Sequence, residues 1–284
     1  MPSPGWLIKN IFQGAEMSFL GWLFGGRRGR AQEQARVLSA DEQMRRLLAR
    51  FGALGMEKQA GLQELVGEAG WSGDVAAQSL TFDNGFSCRI QAIGSYSLRN
   101  DTWRWAWTNA KAGWPDESLA DARAMREYGR THGLALLLDE TDFALERRWV
   151  HAIGMTASAL CKADAYYLAN YGEGILVCTV YSPEVAAKNA AINADISELA
   201  TISTTLEQLF SNFELNYRKA LRCYLKAKGF DLTEDSVAGG SEITARKEGV
   251  RVTARFNELG LLQALDGAPA PIPPAAAPEP APGP

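Results

Sequence analysis

Hydrophobic residues recur at helical spacing in the first patterned part of the chain, between residues 39 and 70. The apolar side chains follow one another at steps of three and four residues, which is the spacing of one helix face. Ser39 and Glu42 form a capping box ahead of them, a pair that satisfies free amides at a helix start. We therefore predict a helical arm over residues 39–70, with a break near Gly52 and Gly55.

The pattern changes to alternation in SLTFDNGFSCRI, residues 79–90. A two-residue Asn-Gly turn would mix apolar and polar side chains on each face of this hairpin. A three-residue loop at 83–85 instead sets Phe82 opposite Phe86 and places Gly85 where such loops need a left-handed residue. The sequence therefore predicts a hairpin with the three-residue loop.

Three tryptophans alternate with other residues in TWRWAWTN, residues 102–109. Because side chains alternate between the two faces of a strand, the three indoles share one face. A four-residue loop at 99–102 would set this face against Leu98, Tyr96 and Gly94 of the preceding strand. Such a face is either buried core or a platform that grips a ligand, and its apolar partners favour the core. The predicted aromatic core residues are Tyr96, Trp103, Trp105 and Trp107.

The same two periodicities predict the remaining elements. Apolar residues from Ile196 to Tyr224 repeat at helical spacing without an intervening Gly or Pro, which predicts one long amphipathic helix, kinked if anywhere at 201–205. The other predicted elements are helices at 118–131 and 143–162, a hairpin whose apolar second strand at 175–181 is central, and closing strands at 241–246 and 250–256.

Hairpin strands with helices between them indicate the α+β class. We expect an antiparallel sheet of meander and hairpin strands, packed against a long amphipathic helix and shorter helices and preceded by the helical arm. The C-terminal run of Pro and Ala lacks apolar periodicity and many backbone donors, which predicts disorder. The expected divisions are a flexible segment at 1–38, the helical arm at 39–70, the α+β domain at 71–266 and a disordered Pro/Ala-rich tail at 267–284.

The N-terminal segment joins apolar residues to arginines. Met17 opens MSFLGWLFGGRRGR, which resembles the short apolar-then-basic starts of many bacterial cytosolic proteins. We therefore expect Met17 to be the native start and residues 1–16 to be a leader. Between Phe19 and Arg30, apolar side chains followed by cations can contact a membrane surface weakly, dock on a partner or do neither.

Composition narrows the class of partner. The chain of 284 residues has a net charge of −4, which gives no reason to expect nucleic acid as a partner. Its four cysteines lie far apart and form no CxxC pair. In a chain of this length, that pattern favours reduced thiols and a cytoplasmic location.

Residue types that carry catalysis are sparse in the sequence. His132 and His151 are the two histidines, and neither has metal-ligand spacing to the other or to the cysteines. No serine lies in a GxSxG turn, and Asp139, Glu140 and Asp142 fit the charged start of a helix. We therefore predict no catalytic residue, no metal site and no cofactor, although carboxylates from distant segments could still meet in space.

The polar face of the tryptophan strand is the best position for a binding site. If the indoles are buried, the opposite face carries Thr102 and Arg104, whose side chains can donate hydrogen bonds. Asn109 lies where the strand ends, and Trp114 follows in the next loop. The candidate binding residues are therefore Arg104, Asn109 and Trp114.

The residues around this strand resemble a known family. TWRWAWTN, the helix that begins SLADARAMREYGRTHG, and WVHAIGMTASALCKADAYYLANYGEGILVCTV are similar to a family of uncharacterised bacterial proteins marked by a T-W-x-W-A-W-x-N strand. The resemblance covers roughly residues 75–265 and leaves the helical arm outside. It implies a bacterial, cytosolic α+β domain without an assigned activity.

Two functions remain compatible with the sequence. The first is a noncatalytic protein-interaction module with a protein partner, for example an inhibitor or immunity-type protein. The second is a small-ligand-binding domain or a cryptic enzyme that uses the sheet face around Arg104 and Asn109. A deep pocket lined by these two residues and another ionisable side chain would favour the second.

Overall fold

The computed structural model of the protein describes residues 38–195 and 197–269. The described residues from Ala40 onward belong to one compact unit. The expectations for Met17, for the Phe19–Arg30 segment and for the tail beyond Pro269 lie outside the described residues.

The described residues contain seven α-helices and eleven strands. The strands form antiparallel sheets, which confirms the α+β class. The helices are α1 Ala40–Glu57, α2 Gln59–Val66, α3 Ala120–His132, α4 Arg148–Leu160, α5 Pro183–Asp195, α6 Glu198–Asn212 and α7 Tyr217–Ala227. The strands are β1 Trp71–Asp74, β2 Ser79–Phe82, β3 Ser87–Ser97, β4 Thr102–Trp105, β5 Phe143–Ala144, β6 Ala165–Asn170, β7 Gly174–Tyr181, β8 Asp231–Val237, β9 Gly240–Lys247, β10 Val250–Asn257 and β11 Leu262–Pro269.

The first seven strands form one antiparallel sheet organised around β3. One edge of β3 pairs with β7, which pairs in turn with β6, so β7 is central as its apolar sequence predicts. The other edge of β3 pairs with β2 near one end and with β4 near the other. The sheet continues from β2 to β1 and from β4 to β5.

The two hairpins that begin this sheet test the predicted registers. The three-residue loop at 83–85 is confirmed, because the Phe82 amide donates to the Phe86 carbonyl at 2.8 Å and Gly85 has a φ of 88°. The β3–β4 register is wrong by two residues, since Trp103 lies opposite Tyr96 rather than Leu98. A shift of two residues preserves the faces, so the buried face is the predicted one.

Three of the four residues predicted for the aromatic core are fully buried in the structure. They are Tyr96, Trp103 and Trp105. β4 ends at Trp105, and Trp107 lies in the 3₁₀ turn Ala106–Thr108, partly buried. The Trp107 ring still stacks on Trp105, with centroids 4.8 Å apart and planes 9° from parallel. The prediction of three indoles on one strand is therefore wrong at its last position.

The predicted helical arm consists of α1 and α2, which meet at Lys58 rather than at the predicted glycines. α1 packs on α4 and α7, and its apolar side chains belong to the main core. A Cβ at Gly55 would lie 2.1 Å from the carbonyl oxygen of Met155 on α4, so Gly55 is required for the close approach of the two helices. The arm is thus an integral part of the compact unit.

The predicted long helix is two helices, α6 and α7, with a break at 213–216. Asn216 causes the restart, because its side chain accepts a hydrogen bond from the Lys219 amide and caps α7. The predicted helix over 143–162 is also shorter, since Phe143 and Ala144 pair with β4 and α4 begins at Arg148. In both places the apolar residues keep helical spacing in the sequence although the helix is interrupted. The interruption comes from the Asn216 cap in the first case and from strand pairing in the second.

The last four strands form a second antiparallel sheet in the order β11-β10-β9-β8. Its inner face carries Ile243, Ala245, Val252, Ala254 and Phe256, which are buried in the same core as α1. The predicted strands β9 and β10 are confirmed, whereas β8 was missed because its sequence DLTEDSV is mostly polar. β11 runs to Pro269, three residues beyond the expected end of the domain at 266.

Candidate functional site

The face of the first sheet opposite the buried indoles contributes to an open cleft of about 610 Å³. Side chains of β3 and β4 meet there with three loops, which contain residues 98–100, Asn109 and residues 171–173. The Leu98 amide donates to the Glu173 carbonyl at 3.1 Å, which ties two of the loops together. The polar lining residues are Ser95, Ser97, Arg99, Asn100, Thr102, Arg104, Asn109, Asp142, Tyr171 and Glu173.

Arg104 and Asp142 form a bidentate ion pair in this cleft. The Arg104 Nε donates to Asp142 Oδ1 at 2.5 Å, and Nη2 donates to Oδ2 at 2.6 Å. The pairing of Trp103 with Phe143 sets the geometry, because the same antiparallel register places Arg104 opposite Asp142. Asp142 thus belongs to a cross-strand pair, and its predicted role at a helix start is wrong.

The ion pair shifts the pKa of both of its members. The hydrogen bond from Arg104 lowers the pKa of the Asp142 carboxyl, and the same contact raises the pKa of the Arg104 guanidinium. Arg99 and Arg104 are balanced by Asp142 and Glu173 among the lining side chains. The cleft therefore presents separated positive and negative groups without a formal net charge.

The structure brings together two of the three candidate binding residues. Asn109 follows the turn Ala106–Thr108 and lines the same cleft as Arg104. Trp114 does not line it, since its ring packs with a small cluster that includes Ala106 and Leu119. Two 3₁₀ turns between Trp105 and Trp114 redirect the chain, which alternation along a continuous strand could not anticipate.

A buried polar network below the sheet was missed by the sequence analysis. Asp121 Oδ2 on α3 accepts hydrogen bonds from Thr179 Oγ1 at 2.5 Å and from the Tyr181 hydroxyl at 2.6 Å. Burial, followed by the bond to Asp121, raises the pKa of Tyr181. In the sequence, Asp121 looks like an ordinary acidic residue near a helix start, and no local signal marks it as buried. The network anchors α3 on β7 and lies outside the cleft.

The two histidines lie away from the cleft. The His132 ring stacks on Tyr128 with centroids 3.9 Å apart at the end of α3. His151 Nδ1 lies 3.1 Å from the Tyr166 hydroxyl, and burial followed by the nearby Arg147 charge lowers the pKa of His151 to about 4. Neither imidazole lines the cleft.

Metal-ligating side chains do not gather in the part of the chain that the structure describes, where no group of three or more His, Cys, Asp and Glu could hold an ion. The four cysteines are free thiols, and burial raises the pKa of Cys88 to about 11. Such a thiol stays protonated and unreactive at neutral pH. Within the described residues, no helix is both long enough and apolar enough to cross a membrane.

The first sheet and its cleft lie in a segment of the chain that matches a known family. Residues 45–183 match a family described as a family of unknown function (DUF6882). The match covers just under half of the chain. The DUF6882 region includes most of α1 and all of the first sheet, so the helices that we expected outside the resemblance lie largely inside it. No curated protein and no solved structure matches the chain.

Proposed function

We propose that the protein is a noncatalytic binding protein whose cleft around Arg104 binds a small polar molecule that carries hydroxyl groups and no net charge. The observation that carries this proposal is the bidentate Arg104–Asp142 pair in a cleft lined by hydroxyl and amide side chains. The pocket thus has the composition that would favour the ligand-binding hypothesis, with Arg104 and Asn109 beside two carboxylates.

Free hydrogen-bonding groups support a polar ligand. The hydroxyls of Ser95, Ser97 and Thr102 and the side-chain amides of Asn100 and Asn109 have no partner among residues 38–195 and 197–269. Asp142 can accept further hydrogen bonds on both oxygens, and Arg104 keeps its second terminal nitrogen free. A molecule with several hydroxyl groups satisfies donors and acceptors together.

The same groups argue against catalysis in the cleft. Its lining contains no histidine, cysteine or lysine. Asp142 is held ionised by Arg104, and a general acid or base near neutral pH needs a carboxyl pKa that is raised instead. A binding role therefore fits the cleft better than acid–base chemistry does.

Thermal unfolding with a panel of sugars, polyols and amino acids tests the proposal. A ligand that binds only the folded protein raises the melting temperature as its concentration exceeds its Kd. We expect the gain to be lost in Arg104→Gln and kept in Arg255→Gln, which alters an exposed arginine paired with Glu242 on the second sheet. Equal gains in both variants would show that the cleft is not the binding site.

A protein-interaction module is the second candidate, in which an inhibitor or immunity-type protein acts on a partner in a bacterial cytoplasm. Val237, Leu259 and Leu261 favour it, because these exposed apolar side chains lie in or beside two turns at the same end of the second sheet. Exposed apolar clusters often mark interfaces. A partner captured by the native chain and lost by Leu259→Ser would support this candidate, and a partner retained by that variant would argue against the surface.

A further inference from the structure

β8 is an edge strand with an accessible backbone. It pairs with β9 on one side, and no strand in the described ranges pairs with its other side. Five of its seven residues are exposed. Alternate amide and carbonyl groups along the free side of an edge strand are unpaired, so they can bind another extended chain.

One flank of α7 is strongly basic. The helix buries Ala220, Leu221, Tyr224 and Leu225 in the core. Its adjacent flank lines a groove of about 450 Å³ with the cations Arg218, Lys219, Arg222 and Lys226. In a protein with a net charge of −4, this concentration of cations is a local exception.

Ion pairs join this basic flank to β8, the edge strand. Arg218 and Arg222 both pair with Glu234 in the middle of β8, the latter at 3.1 Å between Nη1 and Oε2. Glu234 is thus the shared acidic partner of both arginines. Lys219 and Lys226 continue around the flank and have no ion pair with any described residue.

The spacing of the cations fits an extended chain. Arg218, Arg222 and Lys226 follow one another at four-residue steps, which correspond to about 6 Å along a helix. Residues on one face of an extended strand recur every second position, at about 6.6 Å. An added strand with acidic side chains at alternate positions would therefore set them beside successive cations. Asp231 and Asp235 lie on the other face of β8 and favour neutral or basic residues at the intervening positions.

We propose that the free edge of β8 binds an extended segment of a partner protein with acidic residues at every second position, beneath the basic flank of α7. The inference rests on the second candidate function, the protein-interaction module, and is independent of the ligand cleft. A second copy of this chain is the weaker occupant, because it would bring another set of α7 cations to the same edge.

Fluorescence anisotropy with a labelled seven-residue peptide that alternates Glu and Thr tests the inference. We expect Lys219→Glu with Lys226→Glu to weaken binding by about tenfold or more through charge reversal. The matched control is Lys111→Glu with Lys162→Glu, which makes the same charge change at two other exposed lysines and should leave the affinity unchanged. The assay contains no cleft ligand, so a failure here is separable from a failure of the cleft.

A second peptide separates backbone pairing from charge attraction. N-methylation of every backbone amide removes the amide donors on both edges of the peptide and keeps the charges, so strand addition predicts loss of binding. Equal affinity for both peptides, or no binding by the folded native chain, would overturn the β8 assignment. Capture of a partner that depends on Leu259 but not on the two α7 lysines would overturn the assignment and leave the second candidate function standing.

Discussion

Trp105 donates the hydrogen bond of its indole Nε1 to the backbone carbonyl of Leu136 at 3.0 Å. Both residues are buried, so this bond fastens β4 to the 3₁₀ turn Ala135–Leu138 inside the core. Trp103 is equally buried, yet its Nε1 has no partner among the described residues. The indole N–H of Trp105 is therefore hydrogen-bonded inside the core, whereas the indole of Trp103 is held by packing alone.

Trp105→Ala should destabilise the protein by about 3–5 kcal/mol, the usual range for truncation of a buried aromatic residue. The loss combines a cavity with an unpaired Leu136 carbonyl. Urea denaturation measures the change. Trp105→Phe should cost less, because it keeps most of the ring volume and loses the hydrogen bond. An unchanged midpoint in Trp105→Ala would mean that the indole is not core.

Leu209→Ala should cost about 2–5 kcal/mol, because Leu209 on α6 is fully buried in the main core. Its side chain reaches the α1 backbone closely enough that a Cβ at Gly52 would lie 3.1 Å from it. The matched control is Leu259→Ala, since Leu259 is 83% exposed and its truncation should change stability by no more than about 0.5 kcal/mol. Chemical denaturation should separate the two variants clearly, and similar values would contradict the packing of α6 on α1.

Lys228→Met should cost up to about 3–5 kcal/mol, because it leaves the largely buried carboxylate of Glu57 without its ion-pair partner. The two side chains are 13% and 10% exposed, and the Lys228 Nζ lies 2.8 Å from Glu57 Oε1. Glu57 also accepts from the Tyr224 hydroxyl at 2.5 Å, which links α1 to α7. Arg130→Met breaks the exposed Arg130–Glu127 pair and should cost far less, because solvent screens that pair. Equal costs would show that burial does not set the strength of the Glu57 pair.

Local patterns predicted the elements of this fold better than their ends. The three-residue loop at 83–85 followed from the side-chain faces, because a wrong loop length would have mixed buried and exposed residues. β8 carries too few apolar residues to show alternation, so its pairing with β9 becomes evident only in three dimensions. The break before α7 depends on one capping residue, Asn216, within a continuous apolar pattern.

The residues of the candidate site could also be predicted only in part. Arg104 and Asn109 could be chosen from the sequence because they lie on or just after one strand, on the side away from the indoles. Asp142 could not be chosen, since its role arises from the pairing of β4 with β5 across nearly forty residues of chain. Residues 171–173 reach the cleft from a different hairpin for the same reason.

His151 should make the stability of the protein depend on pH in the acidic range. Its pKa falls from an ordinary 6.5 to about 4 in the folded state, so the unfolded chain binds more protons between these values. The stability contribution of neutral His151 is therefore complete above pH 6.5 and lost as the pH falls towards 4, by roughly 3 kcal/mol in total.

His151→Gln should remove this component of the pH dependence, which shows in the difference between native and variant unfolding free energies from pH 4 to pH 7. His132→Gln is the control, because His132 is exposed at the end of α3. If the native protein and His151→Gln lose stability in parallel over this range, the His151 ring is not held neutral by burial.

The most direct test of the ligand cleft is NMR titration of the side-chain signals of Arg104 and Asn109. The titrant is the compound from the sugar, polyol and amino-acid panel that raises the melting temperature most. We predict saturable shifts of the Arg104 Nε–H and Asn109 amide signals, with Trp114, which lies outside the cleft, unchanged. Shifts that map away from the cleft, or a panel in which no compound stabilises the protein, would contradict the proposed function.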